Sequence, residues 1–228
     1  MYDIIRNFTK ASVEIVNAYK NIGETASIYE CMDRAGAMNS DIRPVWPGSR
    51  MCGTALTVHC RPGDNLVLHK AISIAQPGDV LVVCMDGYNE AGGMWGGLMS
   101  ASAVMKGVVG LVTDAACRDT MLIKDLKFPI YTRGINVKAT TKALPGTINH
   151  PVIVGGVMVF PGDIIVGDND SVVVIPQADA GTVLEKAKLR EEQEEAMMKI
   201  IMAGEGIAFD LNGFDILFEK IGMTEEPV

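Results

Sequence analysis

The sequence has no excess of positive charge, no long apolar run and no closely paired cysteines, and each lack removes a class of function. Lys and Arg number 20 against 28 Asp and Glu, a formal net charge of −8. Binding to a phosphate backbone is driven by cationic side chains, so no nucleic-acid partner is expected. No stretch approaches the roughly 20 apolar residues of a bilayer span, and the opening MYDIIRNFTK is too polar for a secretory leader. No membrane partner is expected either. The five cysteines, Cys31, Cys52, Cys60, Cys84 and Cys117, are odd in number and include no CxxC pair. That argues against a disulfide framework or a zinc ribbon and fits a reducing cytoplasm.

What is present is the composition of a folded enzyme: 48% hydrophobic and 21% charged over 228 residues, enough to bury a core. Helical spacing predicts helices over 9–20, 25–35, 65–75, 98–106, 120–126 and 177–203. Strands are expected at 52–60, 80–85, 108–112, 128–132 and in several short runs between 151 and 175. Pro129 suggests an edge position for 128–132. Pro-Gly-Asp recurs at 62–64, 77–79 and 161–163, a turn signal because proline presets one dihedral and glycine permits positive φ at the next. Residues 134–149 show no periodicity and read as an exposed loop. The helix over 177–203 leads into an apolar tail, so 177–228 is expected to pack on a neighbouring subunit or, failing that, back on its own domain. The pattern is that of one α/β domain spanning 1–228 with terminal helical extensions.

The stretch from Asp86 to Asp119 is where the chemistry is expected. Two apolar runs, 80–85 and 108–112, bracket a loop with glycines at 92, 93, 96 and 97 and a helix starting near Leu98. The loop GGMWGGLM is neither GxGxxG nor a Walker sequence, so no nucleotide is implied. A glycine loop feeding a helix N-terminus can offer backbone N–H groups to a carboxylate or phosphate; it can equally be a turn whose glycines serve packing. Arg118-Asp119 follows the second run. Arginine can clamp a carboxylate through two parallel bonds and aspartate can hold a hard divalent cation; the pair can also be a surface ion pair or a helix cap. Asn65 and His69, four apart on a helix, can reach one site together or be structural. Cys117 lacks a base at recognisable spacing and reads as a small buried residue, not a nucleophile. Spacing assigns no role to His59 or His150.

Taken in order, these motifs resemble one family. Pro62-Gly-Asp-Asn65, His69-Lys-Ala71, Gln76-Pro-Gly-Asp-Val80, the run from Gly96 to Asp119, Phe128-Pro-Ile-Tyr-Thr-Arg-Gly134, Gly155-Gly-Val157, Pro161 to Asp168 and Val172-Val-Val174 are similar to the RraA-like family. That family includes the 4-hydroxy-4-methyl-2-oxoglutarate and 4-carboxy-4-hydroxy-2-oxoadipate aldolases and the regulator of ribonuclease activity A. The likeness covers roughly 20–190. It implies a swivelling β/β/α layered domain, assembled as a homotrimer or homohexamer with sites near subunit boundaries.

For activity it implies a divalent-metal-dependent carbon–carbon lyase, an aldolase or oxaloacetate-type decarboxylase, releasing pyruvate from a carboxylated 2-keto acid. Arg118 would bind the pyruvate moiety, Asp119 would ligate Mg2+ or Mn2+, and Gly96, Gly97, Leu98 and Met99 would hold the carboxylate. The alternative within the family is a non-catalytic regulatory binding protein. Gly97 departs from the pattern, since many members carry an acidic residue there. Asp86, Glu90 and Asp114 are the carboxylates that could take its place beside the metal.

Overall fold

Apolar side chains alternate along each central strand, and the two sets enter different cores. A computed structural model describes residues 3–87 and 89–224. In chain order the elements are α1 (Val13–Tyr19), α2 (Thr25–Cys31), β1 (Arg43–Pro44), β2 (Met51–His59), α3 (Leu66–Ile74), β3 (Asp79–Cys84), β4 (Gly93–Trp95), α4 (Gly97–Met105), β5 (Gly110–Cys117) and α5 (Thr120–Asp125). There follow β6 (Ile130–Ile135), β7 (Thr147–Ile148), β8 (Val152–Val154), β9 (Val157–Val159), β10 (Ile164–Gly167), β11 (Val172–Ile175), α6 (Ala180–Met202), α7 (Ala208–Leu211) and α8 (Phe214–Lys220).

The sheet runs β1-β6-β5-β3-β2-β10-β11, with β4 paired to β5 and β7 to β2. Strands β2, β3, β5 and β6 are parallel; β1, β10 and β11 are antiparallel to their neighbours. Leu81 and Val83 of β3 join α3, α4 and α5 in one core, whereas Val80 and Val82 meet the β8–β9 hairpin in another. Period-2 alternation therefore separates a hairpin layer, a sheet layer and a helix layer, the expected α/β arrangement of β/β/α layers. Ile164 and Val166 of β10 face a third core built with α1, α2 and α6.

Turn chemistry explains the connections. In each Pro-Gly-Asp turn the Asp N–H donates to the carbonyl of the residue before proline, Arg61, Gln76 or Phe160, and the glycine has positive φ. Asp79 and Asp163 also accept from the N–H of Gln76 and Phe160, closing their own turns. Asp64 instead turns its carboxylate to a distant segment, described below.

Several expectations change: the strand expected at 108–112 runs to Cys117 as β5, and the one at 128–132 is β6, which lies between β1 and β5 and not at an edge. The helix expected over 25–35 stops at Cys31, because Asp33 and Arg34 take positive φ. The strand run 151–160 is a hairpin, folded back at Gly155-Gly156, both with positive φ. Residues 134–149 are not one exposed loop: Gly134 and Ile135 belong to β6, Thr141 N–H donates to Gly63, and Thr147–Ile148 pairs with β2. The tail forms α7 and α8, where Phe209 meets Phe214 and Phe218 edge-on and no residue of either helix is buried. No helix among the described residues is long and apolar enough to cross a membrane.

Candidate active site

Strand β5 ends by delivering Arg118 and Asp119 beside the glycine loop. Short β4 pairs in parallel with the end of β5, and the Arg118 N–H donates to Trp95 O at 2.9 Å. Trp95 anchors this junction: it is fully buried, stacks on Phe128 at 6.0 Å, and donates its indole N–H to Ser100 Oγ at 2.8 Å. Glycines are needed where the chains touch. A Cβ on Gly93 would lie 2.1 Å from Asn136 O and 3.0 Å from Arg118 Cβ, and one on Gly96 would lie 2.6 Å from Asp119 Oδ2.

Asp119 takes the left-handed conformation at φ 60°, which aspartate tolerates better than most residues. It precedes α5 without capping it through its side chain. Its Oδ2 accepts instead from the Gly97 N–H at 3.0 Å, at the start of α4, and Oδ1 accepts from no group among the described residues. Helix α4 has no side-chain cap. The N–H groups of Leu98 and Met99 therefore remain as donors at a helix terminus with partial positive charge.

These groups share a cleft of about 240 Å³ lined by Asn65, His69, Gly93, Met94, Gly96, Leu98, Met99, Arg118, Asp119, Ala139, Thr140 and Lys142. Asn65 Nδ2 donates to Met94 O at 2.8 Å, while its Oδ1 is buried with no donor among the described residues. A buried acceptor left open calls for a donor from water or ligand. His69 has its basicity lowered, first by burial and then by the Lys142 charge, which favours the neutral ring.

The structure thus brings Asn65, His69, Gly96, Leu98, Met99, Arg118 and Asp119 together, with Gly97 joined through its N–H. Asp86, Glu90 and Asp114 do not line the cleft. Asp86 pairs with His59 at 2.9 Å and Glu90 with Lys138 at 3.2 Å. Asp114 is buried, which pushes its carboxyl up, and it accepts from the N–H groups of Met85 and Gly87. Gly97 itself is hemmed in by Leu122, whose Cδ2 would lie 2.3 Å from an added Cβ. Cys117 is fully buried and its thiol is pushed up to about 12, chiefly by desolvation.

Lys142, Thr140 and Ala139 were not predicted as site residues. Their segment lacks periodicity, and it reaches the cleft through long-range bonds to Asp64, whose Oδ2 accepts from Thr141 Oγ1, Ala143 N and Leu144 N. Nothing local in the sequence encodes that reach.

A family model described as RraA-like, Aldolase/RraA, matches residues 25–174. A Halalkalibacterium halodurans protein named "Putative 4-hydroxy-4-methyl-2-oxoglutarate aldolase" is 36% identical over 193 residues, 85% of this chain and 91% of that one. A Methanocaldococcus jannaschii protein is 34% identical over 199 residues, 87% of this chain and 96% of its own. The crystal structure of Streptomyces coelicolor RraAS2, described as an unusual member of the RNase ES inhibitor RraA protein family, superposes with a TM-score of 0.74 at 26% identity. That match covers 84% of this chain and 99% of RraAS2. With its sequence pattern, its layered fold and these relatives in agreement, the chain belongs to the RraA-like family.

Proposed function

We propose that the protein is a divalent-metal-dependent carbon–carbon lyase that cleaves a carboxylated 2-keto acid and releases pyruvate. The observation that carries this reading is the cleft itself, where a guanidinium, a carboxylate with an open oxygen and the remaining N–H groups of a helix N-terminus meet. The name of the H. halodurans relative supports an aldolase-type activity.

The residues fit a hard cation. Asp119 Oδ1 is an available oxygen ligand, and Mg2+ or Mn2+ is commonly held by one or two carboxylates with water and substrate completing the shell. When bound, the cation would polarise the 2-keto oxygen and offset negative charge developing there. Arg118 would clamp the pyruvate carboxylate, its stem held flat over Gly93. The Leu98 and Met99 N–H groups and the α4 dipole would add to that anion site. Asn65 Oδ1 would accept from a substrate hydroxyl or an ordered water. Lys142 would meet a second carboxylate at the far end of a diacid. The Arg118 charge would also lower the pKa of a water beside it, easing proton transfer.

Exposed apolar side chains at Leu98, Met105 and Met121 border this region, and Ile216 and Ile221 are exposed on the tail. These surfaces support self-association with the cleft near a subunit boundary, and the family resemblance implies a homotrimer or homohexamer.

Pyruvate formation from oxaloacetate and 4-hydroxy-2-oxo diacids, with and without Mg2+ or Mn2+, tests the proposal. Arg118→Ala and Asp119→Ala should each abolish release while far-UV circular dichroism is unchanged; full activity of metal-free Asp119→Ala would sink it. The likeness to RraAS2, together with glycine at 97, supports a second reading as a regulatory binding protein. Stoichiometric capture of a protein partner combined with no turnover on the same panel would favour it.

A further inference from the structure

Outside the cleft, the parallel register of β2 and β3 sets His59 directly beside Cys84, so both side chains leave the same face of the sheet. The chain then turns at Asp86, which has φ 55° and swings back until its Oδ1 lies 2.9 Å from His59 Nε2. The His nitrogen, the Cys sulfur and the Asp oxygen all lie within 4.8 Å of one another. None of the three lines the cleft.

The geometry points to a binding site for a thiophilic divalent cation of the Zn2+ class at His59, Cys84 and Asp86. Imidazole nitrogen, thiolate sulfur and carboxylate oxygen together are a borderline-soft donor set that suits Zn2+ and disfavours Mg2+ and Ca2+. Thiolate and carboxylate supply two negative charges against the two positive charges of the ion. Ligand bonds of about 2.0–2.3 Å in a tetrahedral site need donor atoms about 3.3–3.7 Å apart, within reach of small side-chain rotations from the present spacing. Three protein ligands leave a fourth position for water.

The surroundings hold these ligands in place. Buried Asp114 accepts from Met85 N at 2.7 Å and from Gly87 N at 2.8 Å, pinning the backbone on both sides of Asp86. The Cys84 thiol is directed at the same carboxylate, 3.8 Å away. Arg133, the nearby cation, is engaged by Asp41 at 2.8 Å and by the Gly87 carbonyl at 3.1 Å. Entry is open: the side chains of His59 and Asp86 are 29% and 52% exposed, with Cys84 at the base.

Co2+ is the probe, added to chelator-treated full-length protein. Stoichiometric Co2+ should produce a near-ultraviolet thiolate-to-cobalt charge-transfer band and strong visible bands of four-coordinate geometry, bleached by Zn2+ and unaffected by excess Mg2+. Cys84→Ser should remove the charge-transfer band, Asp114→Asn should weaken binding by about 10- to 100-fold, and Asp119→Asn should change neither. His59→Ala and Asp86→Asn, at partly exposed positions that leave the core intact, decide the matter if Cys84→Ser fails to fold. Absence of a thiolate band, its persistence in Cys84→Ser, or undiminished binding in both His59→Ala and Asp86→Asn would overturn the site.

Discussion

Replacing Asp64 with alanine removes a carboxylate that ties the start of α3 to the segment closing the cleft. Its Oδ1 accepts from Leu66 N at 3.0 Å, and its Oδ2 accepts from Thr141 Oγ1 at 2.8 Å, Ala143 N at 2.6 Å and Leu144 N at 3.2 Å. The residue is only 2% exposed. Hydrogen bonds to a buried charge are worth about 1.5–3 kcal/mol each, but water can replace the aspartate at surface donors such as Ala143, where about 1 kcal/mol is the better figure. The expected loss is therefore about 3 kcal/mol, read from urea midpoints at pH 7 with an unchanged m-value.

The same variant carries a pH signature. Burial alone would raise the Asp64 carboxyl, yet the Ala143 and Leu66 N–H groups and the Thr141 hydroxyl outweigh it and hold the group below the usual carboxylate range. Its stabilisation is thus fully present above an ordinary aspartate pKa of about 3.9 and is lost as pH falls through the lower folded value. The gap between wild type and Asp64→Ala should close in strongly acid solution. Because Lys142 sits in the released segment, KM should rise more than kcat falls, and residues 136–146 should become sensitive to limited proteolysis. A difference below about 0.5 kcal/mol at pH 7, or one that does not shrink on acidification, would refute this account of how the segment is held.

Two glycine substitutions should separate, although an added Cβ would be equally crowded in both. At Gly53 it would meet Gly78 O and at Gly97 it would meet Leu122 Cδ2, each at 2.3 Å. The first contact is backbone in a central strand, so Gly53→Ala should cost about 2–3 kcal/mol; the second is the tip of a side chain 48% exposed that can swing away, so Gly97→Ala should stay within about 1 kcal/mol. Calorimetry of both variants checks the contrast. Thiol labelling tests the burial of the cysteines: desolvation pushes Cys52 and Cys84 up to about 11 and Cys60 and Cys117 up to about 12. At pH 8 a maleimide should therefore mark only half-buried Cys31 in the native protein and all five cysteines after denaturation, as counted by mass spectrometry. Rapid native labelling of Cys117 would reopen its reading as a nucleophile.

The resemblance carried by its ordered motifs implied the layered arrangement and the family, while the sequence by itself determined the α/β class, the turns at the three Pro-Gly-Asp motifs and the strand–glycine-loop–helix order around Arg118-Asp119. These are local properties: alternation over a strand fixes two faces, and proline and glycine fix turn dihedrals, whatever the rest of the chain does. Only the tertiary structure decided which distant residues share a space. It placed Lys142 in the cleft through Asp64, tied Asp119 to the Gly97 N–H, and kept Asp114 for the backbone at Met85 and Gly87. It also joined His59 to Asp86, which lie 27 residues apart, because the register of β2 against β3 sets His59 beside Cys84 and the turn at Asp86 follows, and no sequence periodicity encodes that register.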